Sequence, residues 1–361
     1  MSDTIAILTG GGDAPGLNAV IRSVVKAASR RGWETIGFLD GFEGMLDPVR
    51  YQRLDVSDLD GLLFRGGTIL GTTNRGRFTA RTGLGQERRV PQDILLQTKE
   101  TFAALGLRAL VCVGGDGTLA IAQQLFELGV PLVGIPKTID NDLAGTEVTF
   151  GFHSAVNCAV EAIDRLHTTA QSHDRVMVLE VMGRYAGWIA VYAGLAGGAD
   201  VILIPEIEFN YDSILRKIEQ RQAEGKEFTV IVAAEGAREV GGEYVTQDES
   251  GEPGEARLGG IAEVVTEEIQ KRSGKEARFV VLGYLQRGGP PSPYDRLLCT
   301  RFGVSAVNFI AEGKYGTMAA LRGMEIVPVE ITEAIVRTRT VPPDGELVKT
   351  CRAIGISFGC E

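Results

Sequence analysis

The sequence predicts an α/β protein of two similar domains, each a mainly parallel sheet layered between helices. Three observations carry this. From Ala109 to Asp142 the chain reads strand, glycine turn, helix, strand. An equivalent start lies at the N-terminus, where apolar Thr4 to Leu8 breaks at Gly10, Gly11 and Gly12 before a helix from Leu17 to Arg31. The second half repeats the grammar: apolar runs at 176–181, 201–204 and 229–233 each give way to glycine or polar residues. A right-handed strand–helix–strand crossover returns the chain to its starting edge, so successive turns open on one side of a parallel sheet and face one ligand.

Length and composition fit. At about 150 residues per domain, 361 residues suggest two domains and a large core. The 47 glycines and few aromatics suit a glycine-turned α/β protein. No apolar run reaches the roughly 20 residues of a membrane helix, and MSDTIAILTG lacks a cationic signal-peptide opening, so a cytoplasmic chain without a membrane partner is expected. Five scattered cysteines without a CxxC pair, beside three histidines, point to structural thiols and away from zinc. A formal net charge of −10 argues against nucleic-acid partners. Any anionic substrate must be captured by local cations.

Taken in order, the first helix carries Leu17, Val20, Ile21, Val24, Val25 and Ala28 on one stripe and stops at Gly32. The preceding loop is not the dinucleotide fingerprint, because Pro15 stands where GxGxxG counted from Gly10 needs its last glycine. After a mixed segment from Phe42 to Asp60 comes Arg65-Gly-Gly-Thr-Ile-Leu-Gly71 with small hydroxyl residues, again a phosphate-loop composition. An arginine just beyond it, such as Arg75 next to Asn74, would bridge donor oxygens, with a plain surface arginine as the alternative.

In the central unit, a strand from Ala109 to Val113 breaks at Gly114 and Gly115, and a helix runs from about Thr118 to Leu128. A strand from Pro131 to Ile135 then delivers Pro136, Lys137, Thr138, Ile139, Asp140, Asn141 and Asp142. Unshielded N–H groups at a helix N-terminus, with roughly half a positive charge, form a phosphate cradle. Asp116 within it calls for a divalent cation, and Mg2+ held by one carboxylate plus phosphates and waters is the usual arrangement. Asp140 and Asp142 share a face of an extended segment, so one can take a proton while the other orients metal or water. A bare GGDG serves equally as a tight turn with a solvated Asp. The combination with PKTIDND is what makes the stretch specific.

A helix from Ser154 to Leu166 crosses into the second half. Met182-Gly183-Arg184 follows the first strand there, and Glu235-Gly236 ends the third. The acidic, glycine-rich 239–257 reads as an exposed insertion. A strand from Phe279 to Leu282 leads to Tyr284 and Arg287, and a helix from Tyr294 to Ala311 is mostly core. The tail past Pro342 carries no signal.

GGGDAPGLNAVIR, GGDGT, PKTIDND, MGR and LQRGG, in that order from the first strand to about Met324, resemble the 6-phosphofructokinase family. The resemblance implies a donor domain of residues 1–150 plus about 285–335, a sugar-phosphate domain of 151–284 plus about 336–361, and an active site in the cleft between them. It implies phosphoryl transfer from ATP to the C1 hydroxyl of fructose 6-phosphate in glycolysis, with Asp140 as base, Asp142 supporting the metal–water network, and Asp116 on Mg2+. Gly12, Arg75, Gly115, Gly117, Thr118 and Lys137 fall on the donor side. Thr138, Ile139, Met182, Gly183, Arg184 and Glu235 fall on the sugar side, as do Tyr284 and Arg287. Ser172 to Arg175 and Arg278 match a segment and two arginines that reach the 6-phosphate from a neighbouring subunit, which implies a homotetramer or homodimer. The family more often has a hydroxyl residue where Gly10 stands and His where Tyr284 stands. Tyr can donate to a phosphate without bringing positive charge.

Two positions pull the donor in opposite directions. Gly117 leaves room beside a nucleotide α-phosphate, where pyrophosphate enzymes often carry Asp. Lys137 is the residue type of the pyrophosphate enzymes. ATP is the expected donor, since removing a blocking carboxylate outweighs adding a flexible amine, and pyrophosphate is the alternative. Arg22 and Lys26 are compatible with a bacterial effector site, but Val56 and His167 replace expected arginines, so weak responses to ADP and phosphoenolpyruvate are expected. GGDGT also resembles NAD and diacylglycerol kinases, whose pattern does not explain PKTIDND, MGR and LQRGG together. A noncatalytic sugar-phosphate-binding subunit would bind anions better without Asp116, Asp140 and Asp142.

Overall fold

Alternation along the first strand sets the layering of the first unit. In the computed structural model, which describes residues 3–73, 76–78, 89–246 and 258–361, the chain forms two compact units. The first takes the chain up to Thr138, then Leu143–His153 and Arg287–Thr338; the second takes Ile139–Asp142, Ser154–Gln286 and Arg339–Glu361.

The first unit holds β1 (Thr4–Thr9), β2 (Glu34–Phe38), β3 (Tyr51–Arg53), β4 (Ala109–Gly114), β5 (Leu132–Thr138) and β6 (Phe150–Gly151). With β11 (Thr317–Arg322) and β12 (Glu325–Glu330) they form one sheet in the order β12-β11-β5-β4-β1-β2-β3, β6 pairing with the end of β5. Only the edge strands β3 and β12 run antiparallel. On one face Ile5 and Ile7 pack with α1 (Leu17–Ser29) and α8 (Pro293–Ala311); on the other, Ala6 and Leu8 pack with α2 (Gln92–Ala104) and α3 (Asp116–Glu127). Gly303 lets α8 close on α1, because a β-carbon there would collide with Ser23 Oγ. A short α9 (Ile331–Ile335) follows β12.

In the second unit β7 (Val176–Val181), β8 (Val201–Leu203), β9 (Thr229–Ala234) and β10 (Ala277–Val281) form an all-parallel sheet in the order β10-β7-β9-β8. Val178 and Ile231 bury against α6 (Tyr211–Ala223) and α7 (Ile261–Ser273), while α5 (Trp188–Ala196) packs on β8 and β9 and is met by α10 (Glu346–Ala353). Helix α4 (Phe152–His173) begins in the first unit and continues in the second. No helix among the described residues is long and apolar enough to cross a membrane.

Several boundaries differ from expectation, three of them for a clear local reason. Helix α3 starts at Asp116, not Thr118, because Leu119 N–H already bonds the Gly115 carbonyl, and a carboxylate in the first turn suits the helix dipole. β5 continues to Thr138 because β6 pairs with Lys137 and Thr138. Helix α4 runs on to His173, so Ser172 and His173 are helical.

Inside buried β7 one residue is acidic. Glu180 is fully enclosed, and its carboxylate accepts N–H bonds from Gly260 and Ala262 at the start of α7 (2.9–3.1 Å). It caps a helix distant in sequence. Glu180→Ala is expected to cost about 2 kcal/mol in urea melts, and Glu180→Gln, which keeps one acceptor, clearly less.

Candidate active site

Where they are described, the loops expected to bind the donor belong to the first unit and are bonded to one another. Gly10 N–H donates to the Val113 carbonyl, Gly11 N–H to the Thr73 carbonyl, and Thr72 Oγ1 to the Gly11 carbonyl (2.6 Å). Thr9 Oγ1 donates to the Gly71 carbonyl, and Asn18 of α1 fastens Arg65, Gly66 and Ile69. Thr118 stands between the first two glycine turns. A β-carbon at Gly10 would come within 2.7 Å of its Oγ1, and one at Gly114 would collide with it outright. Position 10 therefore carries no side chain because the Thr118 side chain already fills that space.

Lys137 is buried, and its Nζ donates to the Gly12 carbonyl (2.5 Å). Its neighbours are the glycines: a β-carbon on Gly11, which has φ +76°, would lie 3.4 Å from Nζ. Gly12 is covered by Arg287, whose guanidinium occupies the space a β-carbon would need and whose Nη1 lies 3.5 Å from the Asp13 carbonyl. Arg287, expected among the sugar-phosphate residues, thus lies on the first donor loop. Asp116 and Gly117 are half-buried in the first turn of α3, and Gly115 is its N-cap. Among the described residues no three His, Cys, Asp or Glu side chains gather to hold a metal. A donor set of one carboxylate suits an ion such as Mg2+ that takes its other ligands from phosphates and water. Arg75 and Asn74 lie outside the described residues, as does 247–257 of the expected insertion.

The residues expected on the sugar side gather at the C-terminal edge of the second sheet. The turn after β7 needs a left-handed backbone at Gly183 (φ +149°) and at Arg184 (φ +52°), a strained conformation for a residue with a side chain. Glu235, at the end of β9, holds that turn: its Oε1 accepts from Gly183 N (3.2 Å) and Arg184 N (2.8 Å). Gly236 allows the close approach, because a β-carbon there would strike the Arg184 carbonyl. Met182 N–H donates to Oε1 of buried Gln286 (2.8 Å). Tyr284, exposed, follows β10 at this same edge. Ile139, Asp140 and Asn141 are buried in the second unit, and Asn141 is left-handed (φ +54°). Thr138, at the end of β5 in the first unit, accepts at its carbonyl from Thr149 Oγ1.

Burial first, then the like charge of Asp140, push the Glu235 carboxyl up to about 7; the N–H bonds from Arg184 and Gly183 pull the other way, and Glu180 adds a smaller push. The two carboxylates therefore share one electrostatic environment. Between about pH 4.5 and about pH 7 the folded chain keeps a proton here that the unfolded chain releases. Stability then falls as pH rises through this window, by roughly 3 kcal/mol for a shift of that size. Glu235→Gln is expected to flatten that part of the stability–pH curve measured by urea melts.

Arg175 and Arg278 are not with this group. Both pair with Glu276 (2.8 and 2.7 Å), at the N-terminal ends of β7 and β10. Six residues of β7, about 20 Å of strand, separate Arg175 from the MGR turn. Arg22 and Lys26 line a cavity of about 490 Å3 with Arg30, Arg31 and residues of α8. Asn18 and Gln286 lie inside quoted motifs without a role of their own there, and Glu180 has no sequence signal, since a polar residue does not announce its partner.

The family described as Phosphofructokinase matches residues 4–310. An ATP-dependent 6-phosphofructokinase of Chloroflexus aggregans is 55% identical over 359 residues, covering 99% of this chain and 98% of that one. A pyrophosphate–fructose 6-phosphate 1-phosphotransferase of Streptomyces coelicolor is 48% identical over 358 residues, covering 98% and 99%. Among solved structures, the phosphofructokinase of Pichia pastoris in the T-state superposes with a TM-score of 0.80 at 30% identity, covering 93% of this chain and 36% of that one.

Proposed function

The chain belongs to the phosphofructokinase family, and on that premise we propose that it transfers the terminal phosphoryl group of ATP to the C1 hydroxyl of fructose 6-phosphate, giving fructose 1,6-bisphosphate. It is a phosphotransferase of glycolysis. What supports the assignment of roles is that buried Asp140 lies near enough to Glu235 for its like charge to raise the Glu235 carboxyl, as expected of a base and a sugar-gripping carboxylate serving one substrate.

The first unit binds ATP and the second the sugar phosphate. Backbone N–H groups of Gly12 and of Gly115 to Thr118 cradle the donor phosphates, with Arg75, Lys137 and Arg287 balancing charge. Asp116 would hold Mg2+, which would supply charge neutralisation at the donor phosphates. Glu235 Oε1 fixes the MGR turn, and Oε2 accepts a sugar hydroxyl; Arg184 and Tyr284 complete the grip, with Met182, Gly183 and Ile139 shaping the pocket. Asp140 takes the C1 hydroxyl proton as the oxygen attacks phosphorus in line, and Asp142 orients Asp140 and the surrounding water. Because Glu235 binds best ionised, KM for fructose 6-phosphate should rise as pH falls below about 7, and this dependence should vanish in Glu235→Gln.

Arg175 and Arg278 act on the 6-phosphate of a neighbouring subunit in a homotetramer or homodimer, a reading supported by their place at the opposite sheet edge from Arg184 and Glu235. The setting is cytoplasmic. ATP is favoured over pyrophosphate because Gly117 leaves the nucleotide side clear, while the Lys137 bond to the Gly12 carbonyl is a loop-anchoring role open to either donor. The test is fructose 1,6-bisphosphate formation with Mg2+ and either ATP or pyrophosphate. Product with ATP alone supports the reading; product with pyrophosphate alone reverses the donor; product with neither overturns the kinase assignment.

A further inference from the structure

The C-terminal segment, silent in the sequence, touches the loop that carries Asp140. Arg339 N–H donates to the Asp142 carbonyl (2.7 Å), and its Nη1 donates to the Asn141 carbonyl (3.1 Å). Its guanidinium lies over the Trp188 ring, 4.2 Å from the centroid, and Trp188 Nε1 donates back to the Arg339 carbonyl (2.9 Å). Two residues on, Val341 N–H donates to Glu206 Oε1 (2.7 Å), and the same carboxylate accepts from Gly187 N–H ahead of α5. The segment is thus pinned at both ends. Between them one arginine grips two consecutive carbonyls of a loop whose middle residue, Asn141, is left-handed.

We propose that Arg339 is a positioning residue for phosphoryl transfer, holding Asn141 in its left-handed conformation so that Asp140 and Asp142 stay aimed at the reacting hydroxyl. The inference rests on the reading of Asp140 as the base. Asparagine tolerates the left-handed region better than most residues, but an unanchored loop has other conformers open to it. The guanidinium is suited to the task because it is planar, always charged, and able to stack on indole while donating sideways. Its backbone bond to Asp142 survives any replacement except proline, so a side-chain variant loosens the loop without releasing it.

Arg339→Met keeps an unbranched apolar stem over Trp188 and removes the guanidinium donors; Arg339→Lys restores one donor. The expected result is a fall in kcat of about 10- to 100-fold in Arg339→Met, as for a small misplacement of a reacting group, with KM for both substrates nearly unchanged. Arg339→Lys should recover part of kcat. Millimolar guanidinium chloride should raise kcat in Arg339→Met and leave Asp140→Asn inactive. Unchanged kcat in Arg339→Met, or a loss shared between kcat and KM with neither rescue, would overturn the proposal while Asp140→Asn stays inactive. An active Asp140→Asn would overturn the base assignment, and the proposal with it.

Discussion

Asp140→Asn is expected to lower kcat by about 10³-fold while leaving KM for fructose 6-phosphate close to its original value. The size follows from what is removed. A positioned base contributes on the order of 10²–10⁴-fold, and asparagine keeps the shape of the side chain but accepts no proton at neutral pH. Asp140 is buried, so bulk water cannot readily replace it. A second effect runs through Glu235. With the like charge of Asp140 gone, the Glu235 carboxyl should titrate closer to its ordinary range. The pH at which sugar binding weakens should therefore move down in Asp140→Asn, read from the binding of fructose 6-phosphate by calorimetry. A variant with near-normal kcat would remove Asp140 from the mechanism, and an unmoved binding profile would break its coupling to Glu235.

Gly117→Asp should cut kcat/KM for ATP by about 10²-fold or more, because placing like charges together costs several kcal/mol and each 1.4 kcal/mol is tenfold. The fold should not suffer. Position 117 is in the first turn of α3, where a carboxylate suits the dipole, and aspartate constrains a helix better than glycine does. The melting temperature should stay level or rise while ATP use collapses, a combination that general destabilisation cannot mimic. If pyrophosphate supports product formation in the variant, Gly117 is the nucleotide gate. If ATP use persists, the α-phosphate lies elsewhere and the donor assignment loses its main support.

The parallel sheets were legible because their strands are uninterrupted aliphatic runs closed by glycine, as at 109–114 and 176–181. The glycine loops were legible for the same reason, as was the Asp140 segment, whose residues follow one another in the chain. Helices α2, α6 and α7 escaped notice, as did the hairpin of β11 and β12; each is amphipathic or edge-exposed, and its partner is distant. Lys137 looked like a loop residue because its preceding proline suggests a strand end; only pairing with β6 extends the strand past it. Arg287 was grouped by motif with the sugar ligands, yet its guanidinium packs over Gly12, a contact between residues far apart in the chain. Arg339 had no motif at all, because its function is to hold backbone, and backbone has no sequence signature.

Thr118 lies between two glycine turns that come from opposite ends of the first hundred-odd residues. Its bulk makes positions 10 and 118 a single inherited unit: a hydroxyl residue can enter at 10 only if the side chain at 118 shrinks or turns aside, and a larger one at 118 is tolerated only while 10 stays bare. Position 10 cannot gain a side chain first. A lineage that places one there should already have made room at 118, so a side chain at 10 should be found together with a smaller or turned side chain at 118.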